Sequence, residues 1–225
     1  WKELNIGPQP TPKHSFYLGY GWEDDFKNKP VESIIDMDLL GMANVHYIVS
    51  TFRLYGKQIQ PIFEPDVIEN TKDLREKLNQ KLDHIINGGR LFIYKLNEAK
   101  PRFSISSEII YSDEDSFQEN LRKLGIKDSK VIISEQFKDE LDLLVPGQIE
   151  SINDHNITII SQHADEIILN VEVNQPCLLI IANSYNQNWR ASVNAEDVPV
   201  YPVNYNFQGI PLTQGVNEVI LKYQS

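Results

Sequence analysis

Between residues 148 and 223 the chain reads as eight short β-rich segments, 148–153, 156–162, 166–174, 177–185, 189–194, 198–203, 207–212 and 216–223, parted by Asn, Asp, Gly or Pro and without a helical period. Short strands at such spacing bury their apolar sides most readily as two packed sheets, so a β-sandwich is expected over residues 146–225. Side chains alternate across a strand. Ile167, Leu169, Val171 and Val173 therefore line one face, and Trp189, Ala191 and Val193 another, which makes Trp189 a core residue by expectation. The longest apolar run, Cys177-Leu178-Leu179-Ile180-Ile181-Ala182, falls far short of the roughly 18–20 residues a bilayer requires, so the chain itself is not expected to span a membrane.

Upstream of Pro146-Gly147 the texture differs. Pro8, Pro10, Pro12 and Pro30 with Gly7, Gly19 and Gly21 give residues 1–30 no sustained period, which suits an irregular arm. Ile34, Ile35, Met37, Leu39, Leu40 and Met42 suit a short helix ending near 41–44, and 45–52 is β-branched and aromatic enough for a strand. Thr71 can cap a helix through Leu74, Leu78, Leu82, Ile85 and Ile86 that stops at Gly88-Gly89. Strands at 91–96 and 103–111, a helix capped by Ser112 or Asp113 and closed by Gly125, and a strand at 131–134 follow. This alternation predicts an N-terminal layered α/β unit with a small sheet over 31–145 ahead of the all-β sandwich, an α+β chain overall.

With 41% hydrophobic and 24% charged residues the chain has material for a core. Its 21 basic and 32 acidic side chains leave a formal charge of −11 with no basic cluster, the wrong sign for binding nucleic acid. Cys177 is the single cysteine, which excludes an intrachain disulfide and a cysteine zinc site and leaves it as a buried apolar residue. A chain that starts at Trp1 without Met or signal peptide is expected to be a piece of a longer one. His155 and His163 flank a predicted strand and would stand about 26 Å apart at roughly 3.3 Å per residue, too far to share an ion. His14, His46 and His84 lie in unrelated elements. Asp113, Glu114 and Asp115 fall where negative charge favours a helix start, and Asp24-Asp25 reads as surface. Phosphate-loop, nucleophile-elbow and zincin motifs are all missing. Catalytic residues, cofactor and metal are therefore each expected to be none.

The densest aromatic and amide stretch is Tyr185-Asn186-Gln187-Asn188-Trp189-Arg190 with Tyr201, Asn204, Tyr205 and Phe207. Aromatic faces cover the C–H groups of a sugar while amides and Arg bond its hydroxyls. With Trp189 assigned to the core, the candidate glycan contacts are Tyr185, Asn188, Arg190 and Tyr205.

Several motifs, taken in order, resemble the YfhO-type bacterial membrane proteins. Leu178 to Tyr185 through Trp189, then Ala195 to Val200, Gly209-Ile210-Pro211-Leu212, Gly215 and Val219 to Tyr223 are similar to that family's closing apolar strand, Ser-Tyr…Gly-Trp turn, short hairpin, valine-proline turn and final strand. Upstream, Asp38 to Ser50 and Leu91 to Leu96 followed by Pro101-Arg102-Phe103 resemble its earlier elements. Asn188 stands before Trp189 where the family usually has glycine, Asn194-Ala195-Glu196 replaces an Asp-Gly-Lys turn, and His46 stands where lysine is common. The resemblance implies a multi-pass membrane protein of the GT-C glycosyltransferase type that uses a polyprenyl-phosphate sugar outside the cytoplasmic membrane and in some members decorates teichoic acids. Its catalytic acids would lie in loops between membrane helices, outside these residues. The chain is then expected to be an extracytoplasmic accessory domain, non-catalytic alone, partnered by the rest of its own membrane-embedded chain and by cell-envelope glycan. The alternative is a secreted or anchored carbohydrate-binding or adhesion module.

Overall fold

The computed structural model describes residues 29–50, 53–64, 91–145, 155–204 and 206–224, with Gln118 in backbone only. The arm up to residue 28, the helix expected over 71–89 and the strand expected at 148–153 lie outside the described residues. The chain divides into two compact units, Trp1–Ala99 and Lys100–Ser225.

In the first unit a 3-10 turn, Val31–Ser33, leads to helix α1, Met37–Met42. Asp36 caps α1 by accepting from the Leu39 amide at 3.1 Å. Strands β1 (Tyr47–Ser50), β2 (Ile59–Phe63) and β3 (Phe92–Leu96) form an antiparallel sheet in the order β1-β3-β2. Alternation along β3 buries Phe92, Tyr94 and Leu96 against Val31, Met37, Leu54 and Ile59. Tyr94 keeps its buried hydroxyl satisfied by accepting from the Leu54 amide at 2.8 Å and donating to Glu64 Oε1 at 3.4 Å.

Glu32 ties the turn at 56–58 to the rest of this unit. Its Oε1 accepts from the amides of Lys57 and Gln58, the latter at 2.9 Å. The carboxylate approaches the backbone so closely that a Cβ at Gly56 would collide with Glu32 Oε2 and come within 2.8 Å of Val31 Cγ1. Burial pushes the Glu32 carboxyl up, but the backbone amides that donate to it outweigh burial and hold it below its ordinary value. A depressed folded value means that this contribution to stability is present above the unfolded glutamate value and is lost as pH falls through the folded one. Glu32→Ala is accordingly expected to lower stability at neutral pH and to flatten its loss on acidification, as read by thermal unfolding from pH 7 downward.

The second unit begins with β4 (Phe103–Ser106), β5 (Ile109–Ser112), α2 (Phe117–Lys123), β6 (Val131–Ser134) and α3 (Lys138–Leu144), the last entered through a 3-10 turn, Glu135–Phe137. β5 and β6 pair in parallel, Ile109 opposite Val131, and a parallel pair needs the crossover that α2 provides. The start of α2 is set by the Asp113 carboxylate, which accepts from the Ser116 amide at 2.7 Å and from its hydroxyl at 3.2 Å. Those bonds hold Asp113 below the usual carboxylate range, so this residue of the acidic triplet is engaged in building the turn. Then come β7 (His155–Gln162), β8 (Glu166–Val173), β9 (Cys177–Ile181), β10 (Trp189–Val193), β11 (Glu196–Val198), β12 (Tyr201–Val203), β13 (Phe207–Leu212) and β14 (Gly215–Tyr223).

Two sheets result, β11-β10-β14-β8-β7 and β4-β9-β13-β12-β6-β5. One core joins them, with Ile167, Leu169, Val171, Ala191, Val219 and Leu221 from the first meeting Phe103, Ile105, Leu179, Ile181, Ile210 and Leu212 from the second. The other face of the six-stranded sheet carries Ile109, Val131, Ile133, Leu178, Ile180 and Val203, covered by Leu141 of α3 and by Val145. A strand covered on both sides is apolar at every position rather than at alternate ones, and β9 is buried throughout.

Two expectations change against this architecture. The described chain is mostly β, and β4, β5 and β6 do not complete a layered N-terminal sheet with β1–β3 but enter one sheet with β9, β12 and β13. Strands from both sides of residue 146 therefore share a hydrogen-bonded sheet within the unit Lys100–Ser225. The physical reason lies in Val131-Ile132-Ile133, all fully buried, whose apolar faces on both sides require a two-sided cover. Finally, the strand expected over 198–203 breaks at Pro199-Val200, so that β11 belongs to one sheet and β12 to the other. At the close contact between β12 and β13, a Cβ on Gly209 would meet Val203 Cγ1 at 2.5 Å, so this position is held to glycine. A fragment beginning at residue 146 is expected to show no cooperative unfolding transition in urea, because it lacks β4, β5, β6 and α3. One beginning at Lys100 should unfold in a single sharp step.

Candidate functional site

Six strand ends converge where the core between the two sheets opens: the start of β4, the end of β9, the starts of β10 and β13, the end of β14 and the turn after β12. The loop 182–188 crosses this opening and is pinned at both sides. The Ala182 amide donates to the Arg102 carbonyl at 2.9 Å, Tyr185 N donates to Asn206 O at 2.7 Å, and Gln224 N donates to Asn188 O at 2.9 Å.

Of the residues that the sequence singles out, Tyr185 is half-buried within this loop. Asn188 is also half-buried and donates through Nδ2 to the Tyr223 hydroxyl at 3.3 Å. Arg190 is exposed, and its Nη1 donates back to its own strand's entry, to the carbonyls of Gln187 and, at 3.2 Å, Trp189. In register it lies beside Lys222, whose Nζ pairs with Glu166 Oε1 at 2.8 Å. Tyr205 lies outside the described residues. The structure thus brings Tyr185 and Asn188 to the opening, while strand alternation turns the Arg190 side chain to the opposite face of β10 from Trp189.

Trp189 differs from expectation. It is partly buried, packed against the margin of the two-sheet core and edge-on to Tyr223 with ring centroids 5.3 Å apart and planes at 73°. Ala191 and Val193 are buried farther along the same face. Trp189 is the first inward position of β10, where the sheets no longer enclose it fully, so alternation alone overstates its burial.

Three polar residues complete this opening and were not singled out from sequence as contacts. Arg102 donates through Nε and Nη2 to Asn183 Oδ1 at 3.0 and 2.8 Å, and its guanidinium lies 5.5 Å from the Phe103 ring centroid. Gln208, fully buried, donates through Nε2 to Ser184 O at 3.2 Å and leaves its Oε1 without a partner among the described residues. Only the position of Arg102 beside an apolar strand start hinted at it, since its partner Asn183 is 81 residues away. This end of the second unit thus carries the Arg102–Asn183 pair, the buried Gln208 amide and the edge-on Trp189 and Tyr223 rings, groups of the kinds that bond hydroxyls or cover C–H faces.

Two clefts lie elsewhere. One of about 240 Å³ in the first unit is lined by Met37, Asp38, Gln58, Leu96, Asn97 and Glu98. Another of about 190 Å³ lies at His155, Asn156, Glu172, Val173 and Asn174. Among the described residues no group of three or more His, Cys, Asp or Glu is placed to hold a metal ion. Cys177, fully buried in β9, has its thiol pushed up to about 12 by burial, which leaves it an inert core residue.

Residues 140–225 match the family model of the bacterial membrane protein YfhO. The matched segment holds all of β7–β14 and most of α3, and so contains the five-stranded sheet entire and half of the six-stranded one. Arg102 and β4–β6 lie outside the matched residues and complete the six-stranded sheet and its surroundings in the second unit. Among the described residues no helix is long and apolar enough to cross a membrane. No curated protein and no solved structure matches the chain.

Because Trp189 is packed on one side and Arg190 is exposed, the two should separate in stability measurements. Trp189→Ala is expected to cost about 2–3 kcal/mol, below the ~3–5 kcal/mol of a fully enclosed tryptophan. Arg190→Ala should stay within about 0.5 kcal/mol of the parent in the same urea titrations.

Proposed function

We propose that this chain is a domain of a membrane-bound, glycosyltransferase-like protein, lying on the outer side of the cytoplasmic membrane and acting as an accessory platform for a cell-envelope glycan acceptor such as a teichoic acid. The observation that carries this reading is the match of residues 140–225 to a bacterial membrane protein family, YfhO. The opening at the strand ends supports the acceptor role. Trp189 and Tyr223 supply C–H-stacking surfaces, Asn188 supplies an amide, Arg102 is oriented by Asn183, and the buried Gln208 holds loop 182–188 through the Ser184 carbonyl. Tyr185 and Asn188 are contacts by position, Arg190 and Tyr205 by sequence proximity. The remaining partner is the membrane-embedded part of the same protein, which would carry the catalytic acids and bind the lipid-linked donor.

A site of this kind is shallow. Affinity depends on how much ligand surface is enclosed, and partly exposed rings enclose little. Calorimetry is therefore expected to give millimolar binding at best to soluble envelope glycans, weakened further by Trp189→Ala, and the chain alone should transfer no sugar from lipid-linked donors. Low-micromolar binding to a defined oligosaccharide that is abolished by Arg190→Ala would instead make it a free-standing carbohydrate-binding module. Sugar transfer by the chain alone would overturn both readings.

A further inference from the structure

The two clefts outside the opening differ in what their lining groups do. In the first unit, Gln58 Nε2 donates to Asp38 Oδ1 at 3.2 Å and Asn97 Nδ2 to the Lys57 carbonyl at 2.7 Å, so the amides that line that cleft already have protein partners. The cleft of about 190 Å³ in the second unit is lined by His155, Asn156, Glu172, Val173 and Asn174. Among the described residues, the side chains of His155, Asn156, Glu172 and Asn174 make no hydrogen bond or ion pair. Strand register gathers them. Asn156, Glu172 and Val216 stand side by side across β7, β8 and β14, and His155, Val173 and Gly215 form the next row. Gly215 leaves that row open, since a Cβ there would meet nothing within 4 Å.

We propose that this cleft binds a neutral polyhydroxylated molecule, a sugar or polyol, through its hydroxyls. The amides of Asn156 and Asn174 and a neutral imidazole each offer both a donor and an acceptor, and a hydroxyl has the same double character. Glu172 adds two acceptor oxygens. An anion would instead face that carboxylate on a chain whose formal charge is −11. A metal ion would find one imidazole and one carboxylate, and no third His, Cys, Asp or Glu joins them among the described residues. Val216, 60% exposed beside Glu172, gives the C–H groups of a ligand an apolar surface. This cleft is distinct from the opening crossed by loop 182–188. Gly215 and Tyr223 are the two ends of β14, about 26 Å apart at roughly 3.3 Å per residue, so the proposal does not rest on the acceptor role of that opening.

Heteronuclear NMR of the 225-residue chain, titrated with methyl β-glucopyranoside and with sorbitol, tests this. The expected result is saturable, millimolar binding whose shifts centre on the side-chain amides of Asn156 and Asn174 and on the Gly215 amide. Asn156→Ala and Asn174→Ala should each weaken it about fivefold, the loss of one hydrogen bond. Both positions are exposed, so the unfolding midpoint should not move. Glu172→Gln keeps an acceptor while removing the charge, and should leave affinity for the neutral probes within about twofold. Signals of Tyr185 and Asn188 report separately on the opening, so either site can fail without the other. Saturable shifts at this cleft with neither probe overturn the proposal. So does binding that survives both alanine variants, or calcium or tetramethylammonium saturating the cleft more tightly than either probe and losing that affinity in Glu172→Gln.

Discussion

The second unit is organised by a sheet that must be covered twice. β6 and β9 are apolar on both faces, and a strand of that kind is stable only where something packs above and below it. The five-stranded sheet covers one side, and Leu141 of α3 with Val145 covers the other. From that requirement follow the sheet's mixed membership, the parallel β5–α2–β6 excursion and the place of α3, a short helix that buries a single residue, Leu141, under the sheet. The five-stranded sheet carries the complementary pattern. β8 and β14 alternate, because one side faces the core and the other faces solvent.

The same layering decides where a ligand could reach. Along their length the two sheets are closed by aliphatic side chains, with Asn217 buried and hydrogen-bonded to the Thr213 carbonyl near one end and polar groups gathered at the other, where loop 182–188 crosses. There the buried Gln208 and the Arg102–Asn183 pair replace the aliphatic residues of the core. Unpaired polar atoms are costly away from water, so a buried carbonyl oxygen such as Gln208 Oε1 is the atom in this region that gains most from a hydroxyl or a water. Trp189 and Tyr223 form the apolar wall of the same opening. The site is therefore a property of the sandwich's end rather than of any one strand's exposed face.

Periodicity made most described strands of the second unit legible before any coordinates: β6 and β13 at their observed bounds, and β7, β8, β10 and β14 within a residue or two. Turn residues did the same for the breaks. The connection from β10 to β11 turns at Asn194 and Ala195, with φ of 53° and 67°, and the Asn194 side chain accepts from the Glu218 amide at 2.9 Å. Alanine in that left-handed pair is unusual, and it stands where the resembled family carries the glycine of an Asp-Gly-Lys turn. Of the candidate site, Tyr185 and Asn188 could be found from local density of aromatic and amide side chains. Arg102, Asn183 and Gln208 could not, because they come together across long separations in sequence.

Local sequence thus determined which segments are strands, where they turn and which of their faces are apolar, since backbone sterics and alternation act over a few residues. Partner choice was decided only in the tertiary structure. An apolar run such as Phe103-Ser104-Ile105 is compatible with any apolar neighbour, and what assigned it to β9 was the need to pair that strand's remaining edge while burying both of its faces. The sharing of one sheet by strands from both sides of residue 146, the splitting of 198–203 between two sheets and the partial exposure of Trp189 all follow from that choice. Each depends on contacts between residues far apart in the chain, whose energies no local pattern contains.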